Sequence, residues 1–177
     1  QGRLPEALAV CMNALTATSR RDGESEHLAP YAAVLYQMMG QIHLEWNELE
    51  QAETALQKCL ELSRFMAAGD WQAYSFTALS RLQWARGDLA QAFAVLNQVT
   101  SESPRAGIAI ATWKTRLSLV HSVEHPDAMN QAFSWAAERS LQPFEPYWTS
   151  FETLTLIRVL IAQYRLASHA ASKALPD

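Results

Sequence analysis

The phrase Asn47-Glu-Leu-Glu-Gln-Ala52 returns as Gly87-Asp-Leu-Ala-Gln-Ala92 and again as Pro126-Asp-Ala-Met-Asn-Gln-Ala132, so the alanines at 52, 92 and 132 recur every 40 residues. A fixed period of that size restricts the chain to folds in which one small unit cannot bury its apolar face alone and stacks on its neighbours. The phrase has an earlier form, Gly2-Arg-Leu-Pro-Glu-Ala7, and a degenerate later one, Tyr164-Arg-Leu-Ala-Ser-His169, which gives five half-turn signals.

Around each signal the apolar residues recur at steps of three and four, the spacing of one helix face. Each repeat is therefore a helix, a tight turn and a helix. Tyr36, Met39, Gly40 and His43 mark the inner helix of the first full unit, and Ala52, Leu56 and Cys59 its outer helix. Phe76, Leu79, Ser80 and Gln83, then Ala92, Leu96 and Val99, repeat the pattern. Small residues at 40, 80, 52 and 92 let backbones approach, and the larger ones fill the layer to the next repeat.

Asn47 with Glu50 and Asp88 with Gln91 fit capping boxes at the starts of outer helices. Pro30 and Pro104 suit first-turn positions, where a missing N–H costs nothing, and Gly69 suits a helix C′. The runs Arg20 to His27 and Ser101 to Ser103 are polar connections. Helices are predicted over about 3–19, 30–46, 48–68, 71–86, 88–100, 105–124, 127–140, 146–163 and 165–175. No segment alternates with strand period, so the fold class is all-α: one α-solenoid domain over 1–177.

With 14 Lys and Arg against 18 Asp and Glu, the net charge of −4 disfavours nucleic-acid binding, which needs clustered cations. Only Cys11 and Cys59 are present, which allows no disulfide framework and no CxxC metal knuckle. A reducing, cytoplasmic setting is the expectation. No charged-then-apolar leader opens the chain, and no apolar run approaches the roughly 18 residues that span a bilayer. The start at Gln1, without Met, is taken to mean a piece of a longer protein.

His121-Ser-Val-Glu124-His125 matches the HxxEH pattern of one class of zinc peptidases. In the 40-residue register it falls on the last turn of an inner helix, with Pro126 ending that helix. A catalytic zinc needs a third protein ligand, an open position and outer-shell support. Nothing in the pattern brings Glu138, Glu145 or Glu152 to the pair, so it reads as a solvated helix end where His suits the negative pole of the dipole. Adventitious metal binding by His121 and His125 stays open. Neither cysteine has a His nearby in the repeat frame, and no enzyme is expected.

The repeats resemble the tetratricopeptide (TPR) pattern at its large, small and alanine positions, though 40 residues exceed the usual 34. The order of GQIHLEWNELEQAETALQKCLELSRFMAAGD, LSRLQWARGDLAQAFAVL, AFSWAAERSL and FETLTLIRVLIAQYRL, with Trp135 in the third, resembles the helical sensor region of MalT-like, ATP-dependent LuxR-type transcriptional regulators, from about Gln1 to Leu166. The resemblance implies a right-handed superhelix of antiparallel TPR-like helix pairs. It also implies a regulator with a nucleotide-binding ATPase before this segment and a helix-turn-helix after it. This chain holds no GxxxxGK[ST] loop and no basic helix-turn-helix after Arg165.

In TPR-like units the inner helices line a concave groove, and transferring the groove positions nominates Gln37, Gln41, Tyr74, Arg81, Trp84, Lys114, His121 and Arg158 as ligand-binding residues. Val34, Leu44, Thr77, Leu117, Glu124, Phe151, Leu154 and Ile161 complete the set. Amides, cations and aromatics together suit a sugar-like or carboxylate-bearing effector, or a peptide. Trp84, Leu44, Leu154 and Ile161 at helical spacing equally suit packing, and Trp46, Trp71, Trp113 and Trp135 read as packing between units. Two functions fit: a signal-sensing module whose effector controls self-association, and a scaffold that holds a peptide or partner domain. Neither requires a cofactor.

Overall fold

The computed structural model describes residues 3–19, 25–63, 70–99, 103–122, 126–139 and 148–173. They form eight helices and no strand: α1 Leu4–Ser19, α2 Ser25–Glu45, α3 Leu49–Ser63, α4 Asp70–Ala85, α5 Leu89–Leu96, α6 Pro104–His121, α7 Pro126–Ala137 and α8 Trp148–Lys173. The chain divides into two compact units, Gln1–Ile110 and Ala111–Asp177.

The first unit is built from two near-identical hairpins. At the end of α2, Asn47 N–H donates to Leu44 O at 3.1 Å and Glu48 N–H to His43 O at 2.9 Å. Gly87 and Asp88 do the same to Trp84 O and Gln83 O, both at 2.9 Å. This is the Schellman pattern, in which a left-handed residue lets two N–H groups turn back onto otherwise orphaned carbonyls. Asn47 at φ 60° and Gly87 at φ 84° supply that conformation. Asn47 is thus the closing residue of α2 rather than the cap of α3, and Glu48 precedes α3. Asp88 does cap α5, its Oδ1 accepting from Gln91 N–H at 2.8 Å.

The small residues act as expected. A Cβ on Gly40 would lie 2.6 Å from Leu56 Cγ, so the glycine is what lets α2 and α3 touch. Ser80, its counterpart, donates its hydroxyl to Ala92 O at 2.8 Å. Leu56, Ala78, Leu79 and Val95 then form one core across α3, α4 and α5, flanked by Leu44, Leu60 and Phe76.

In the second unit Ala132, Trp135 and Ala136 of α7 pack on Leu156 and Val159 of α8, with Ala111 and Leu119 of α6 against them. The three outer helices bury the same triplet, at 52/55/56, 92/95/96 and 132/135/136, which is the 40-residue period in three dimensions.

Several boundaries differ from expectation; α5 ends at Leu96 and α7 at Ala137, short of the predicted 100 and 140. α2 starts at Ser25, placing Pro30 inside the helix; the extra turn buries Ala29 and gives up one backbone hydrogen bond. It also draws Ser25 to His27 into helix instead of a connection. α6 ends at His121, and Pro126 opens α7 rather than merely stopping α6. The expected break near Tyr164 does not occur: α8 runs on to Lys173, because that phrase contains neither a left-handed residue nor a proline. Pro104 does open α6, whereas Gly69, Ser101 and Glu102 lie outside the described residues.

Candidate functional site

The inner helices of the first unit present a common open face. On α2 it comprises Tyr31, Val34, Met38, Gln41 and Glu45, spaced three and four residues apart; Tyr31, Met38, Gln41 and Glu45 are exposed and Val34 is half-buried. On α4 the open row is Tyr74, Thr77, Arg81 and Trp84, with Trp84 41% exposed and the others half-buried; in the 40-residue register Tyr74 and Arg81 answer Val34 and Gln41, whereas Thr77 and Trp84 answer Gln37 and Leu44. Arg81 Nη2 donates to Glu45 Oε1 at 2.7 Å and joins the rows. One turn further, Arg86 Nη2 donates to Glu53 Oε2 of α3 at 2.8 Å, with Glu50 at 3.9 Å. These pairs tie successive repeats. They also determine the electrostatics of the face, because the guanidinium of Arg81 already has a carboxylate partner.

Of the eight nominated residues, the structure brings Gln41, Tyr74, Arg81 and Trp84 onto this face. Gln37 lies elsewhere: it is 6% exposed, inside the packing rather than open to solvent. Lys114, His121 and Arg158 belong to the second unit, the first two half-buried and Arg158 exposed on α8. Leu117 is buried in the core, while Leu154 and Ile161 are exposed beside Arg158.

His121 closes α6, and Val123, Glu124 and His125 lie outside the described residues. Among the described residues no group of three His, Cys, Asp or Glu is placed to hold a metal ion. Both cysteines are buried, and burial pushes each thiol above its ordinary pKa, away from the reactive thiolate. Cys59 Sγ sits 3.0 Å from Ser75 Oγ and links α3 to α4.

Trp113 and Trp135, expected as packing residues, are buried, whereas Trp46 is 36% exposed and lies edge-on to His43 at 6.1 Å. His43 Nδ1 in turn donates to Glu48 Oε2 at 2.6 Å. The side chain of Trp71 lies outside the described residues.

Two features escaped the sequence reading. The first is the Arg81–Glu45 bridge, which joins residues 36 apart and has no local signature. The second was visible in the register: Ser75, Thr115 and Thr155 stand 40 residues apart and all are buried. A hydroxyl thus recurs at the phase of the core, and at Ser75 it meets Cys59 of the preceding outer helix.

The sequence model of a family described as the MalT-like TPR region matches residues 1–176. No curated protein and no solved structure matches the chain. No described helix is long and apolar enough to cross a membrane.

Proposed function

Since the chain belongs to the MalT-like TPR family, we propose that it is the signal-sensing segment of a LuxR-type, ATP-dependent regulator, and that it acts in the cytoplasm by binding rather than by catalysis. TPR-like repeats generally mediate protein interactions, and regulation through such a domain needs only that a ligand favour one of two states.

The observation that carries this reading is the open face of α2 and α4, where Gln41 and Trp84 lie about one helical turn from the paired Arg81 and Glu45, and exposed Met38 and Tyr31 continue the row along α2. Exposed aromatic faces beside amides and a paired charge suit an uncharged polar effector of the sugar-like kind. A carboxylate-bearing effector fits less well, since it would have to displace Glu45 from a 2.7 Å charge-assisted bond. In the intact regulator the bound state would control self-association.

The test is a thermal-shift series with neutral mono- and oligosaccharides against amino acids and dicarboxylates. A ligand of the folded state at a hundred times its dissociation constant stabilises by about 2.7 kcal/mol. The expected result is a rise in midpoint with a neutral saccharide, removed by Trp84→Ala and Gln41→Ala. A response confined to carboxylates and strengthened by Glu45→Gln would overturn the neutral-effector reading.

A further inference from the structure

The open faces of α3 and α7 are polar: α3 exposes Gln51, Thr54, Gln57, Lys58 and Glu61, and α7 exposes Asp127, Asn130, Gln131 and Ser134. Such faces need no partner. The open face of α8 differs. Its core side, Thr155, Leu156 and Val159, is buried in the second unit. On the opposite side Leu154, Ile157, Ile161 and Tyr164 are exposed, Leu154 at 54% and Tyr164 at 74%. Their spacing of three, four and three residues is the a/d seam of a helix that pairs with another helix. A helix apolar on both sides is normally buried on both.

Charge narrows the choice of partner. Arg158 and Arg165 follow Leu154 and Ile161 by four residues, which puts both on the same flank of the seam, and both are exposed. No Asp or Glu occurs from Thr153 to His169. Pairing with α8 of a second copy leaves these cations unanswered: antiparallel packing sets arginine against arginine, and parallel packing sets arginine against Leu160, Ala167 or Thr153. An anionic membrane surface also attracts cations, but helices that lie on membranes carry a polar face rich in Lys and Arg, and α8 has an apolar core-facing side there instead.

We propose that the outward face of α8 docks an amphipathic helix of a partner protein whose apolar seam is flanked by Asp or Glu. The partner's leucine-like residues fill the row from Leu154 to Tyr164, and its carboxylates meet Arg158 and Arg165. This surface lies in the second unit and the proposed effector face in the first, so either is open to failure without the other.

The experiment uses the whole chain and a labelled three-heptad peptide with leucine at a and d and glutamate at e and g, alongside a lysine counterpart, read by fluorescence anisotropy at low salt. The glutamate peptide is expected to bind more tightly than the lysine peptide by about tenfold. Arg158→Glu with Arg165→Glu should reverse that preference, a result that loss of structure does not mimic. Ile161→Asp should abolish binding of both peptides with an unchanged circular dichroism spectrum, because the residue is exposed. Three results would each overturn the proposal: no peptide binding, an unreversed preference, or binding only to phosphatidylserine vesicles. A concentration-dependent dimer dispersed by Ile161→Asp would overturn it as well, in favour of a second copy.

Discussion

The α4–α5 and α6–α7 hairpins fill the same place in the repeat and are held together differently. In α4–α5 the helices meet at Ser80, whose hydroxyl bonds Ala92 O, and turn through left-handed Gly87 into the cap of Asp88. In α6–α7 the counterpart of Ser80 is Val120, 43% exposed, and α7 opens on Pro126. There the bulk of Trp135 sits in the core that α7 forms with α8, and Ala111 and Leu119 of α6 pack against it. Arg139 adds a clamp, stacking over Trp135 at 4.2 Å, donating to Glu152 of α8 at 2.9 Å and to Trp135 O at 2.9 Å. This second arrangement leaves polar atoms stranded: Thr112 Oγ1 and Trp135 Nε1 are buried with no hydrogen-bond partner among the described residues. One repeat thus reaches stability through close backbones and satisfied bonds, the other through aromatic volume.

The largest test of that contrast exchanges volume at one register position. Trp135 and its counterpart Val95 are both core residues. Trp135→Ala should destabilise by about 3–5 kcal/mol and Val95→Ala by about half that, in proportion to the cavity each leaves. Urea unfolding followed by circular dichroism measures both, and equal losses would show that the second unit does not depend on its tryptophan.

Next in size is the close-approach position. Gly40→Val drives a branched side chain into fully buried Leu56 and should cost about 2–3 kcal/mol. The reverse change in the other hairpin, Val120→Gly, touches an exposed residue and should cost only the difference in helix propensity, about 0.5 kcal/mol. Comparable urea midpoints for the two variants would dissolve the distinction.

Smaller again is the clamp. Arg139→Met keeps the aliphatic stem over Trp135 but removes the charge and the donors. Because Arg139 and Glu152 are both about a quarter exposed (22% and 27%), solvent screening limits the loss to about 1 kcal/mol. A loss that vanishes in high salt would mean that the Glu152 pair dominates; a salt-insensitive one would assign it to the Trp135 carbonyl and ring.

The two hairpins also differ in how far the sequence disclosed them. In the first unit the place of the turns was legible because the phrases at Asn47 and Gly87 recur, although the left-handed role of Asn47 was not, and the small residue was legible because Gly40 and Ser80 recur. Near Tyr164 the phrase kept its leucine but lost its turn residue, and leucine alone does not stop a helix. Pro30 misled because proline favours a first turn yet is tolerated where burial of Ala29 offsets one lost bond. For the open face, the groove positions transferred from TPR-like units gave Gln41, Arg81 and Trp84 but misplaced Gln37, whose burial depends on the neighbouring helix. Nor does periodicity reveal that Glu45 holds Arg81, since that pairing follows from how far one repeat is offset from the next.

The smallest expected effect lies in the turns themselves and asks whether Asn47 and Gly87 are interchangeable. Both hold positive φ, at 60° and 84°, and both close the same pair of backbone bonds. Asn47→Gly relieves a residue that is not glycine of its left-handed cost and adds a freer unfolded chain, two terms of opposite sign and similar size. The net change should stay within about 0.5 kcal/mol. Gly87→Ala runs the two terms in reverse and the left-handed cost is larger for alanine than for asparagine: nothing lies within 4 Å of the added Cβ, so the loss is conformational, about 1–2 kcal/mol less what the stiffer unfolded chain returns. A loss on Asn47→Gly as large as that on Gly87→Ala would mean that the asparagine amide, and not merely its backbone, holds the first turn. The two hairpins of the first unit would then differ in mechanism despite their shared hydrogen bonds.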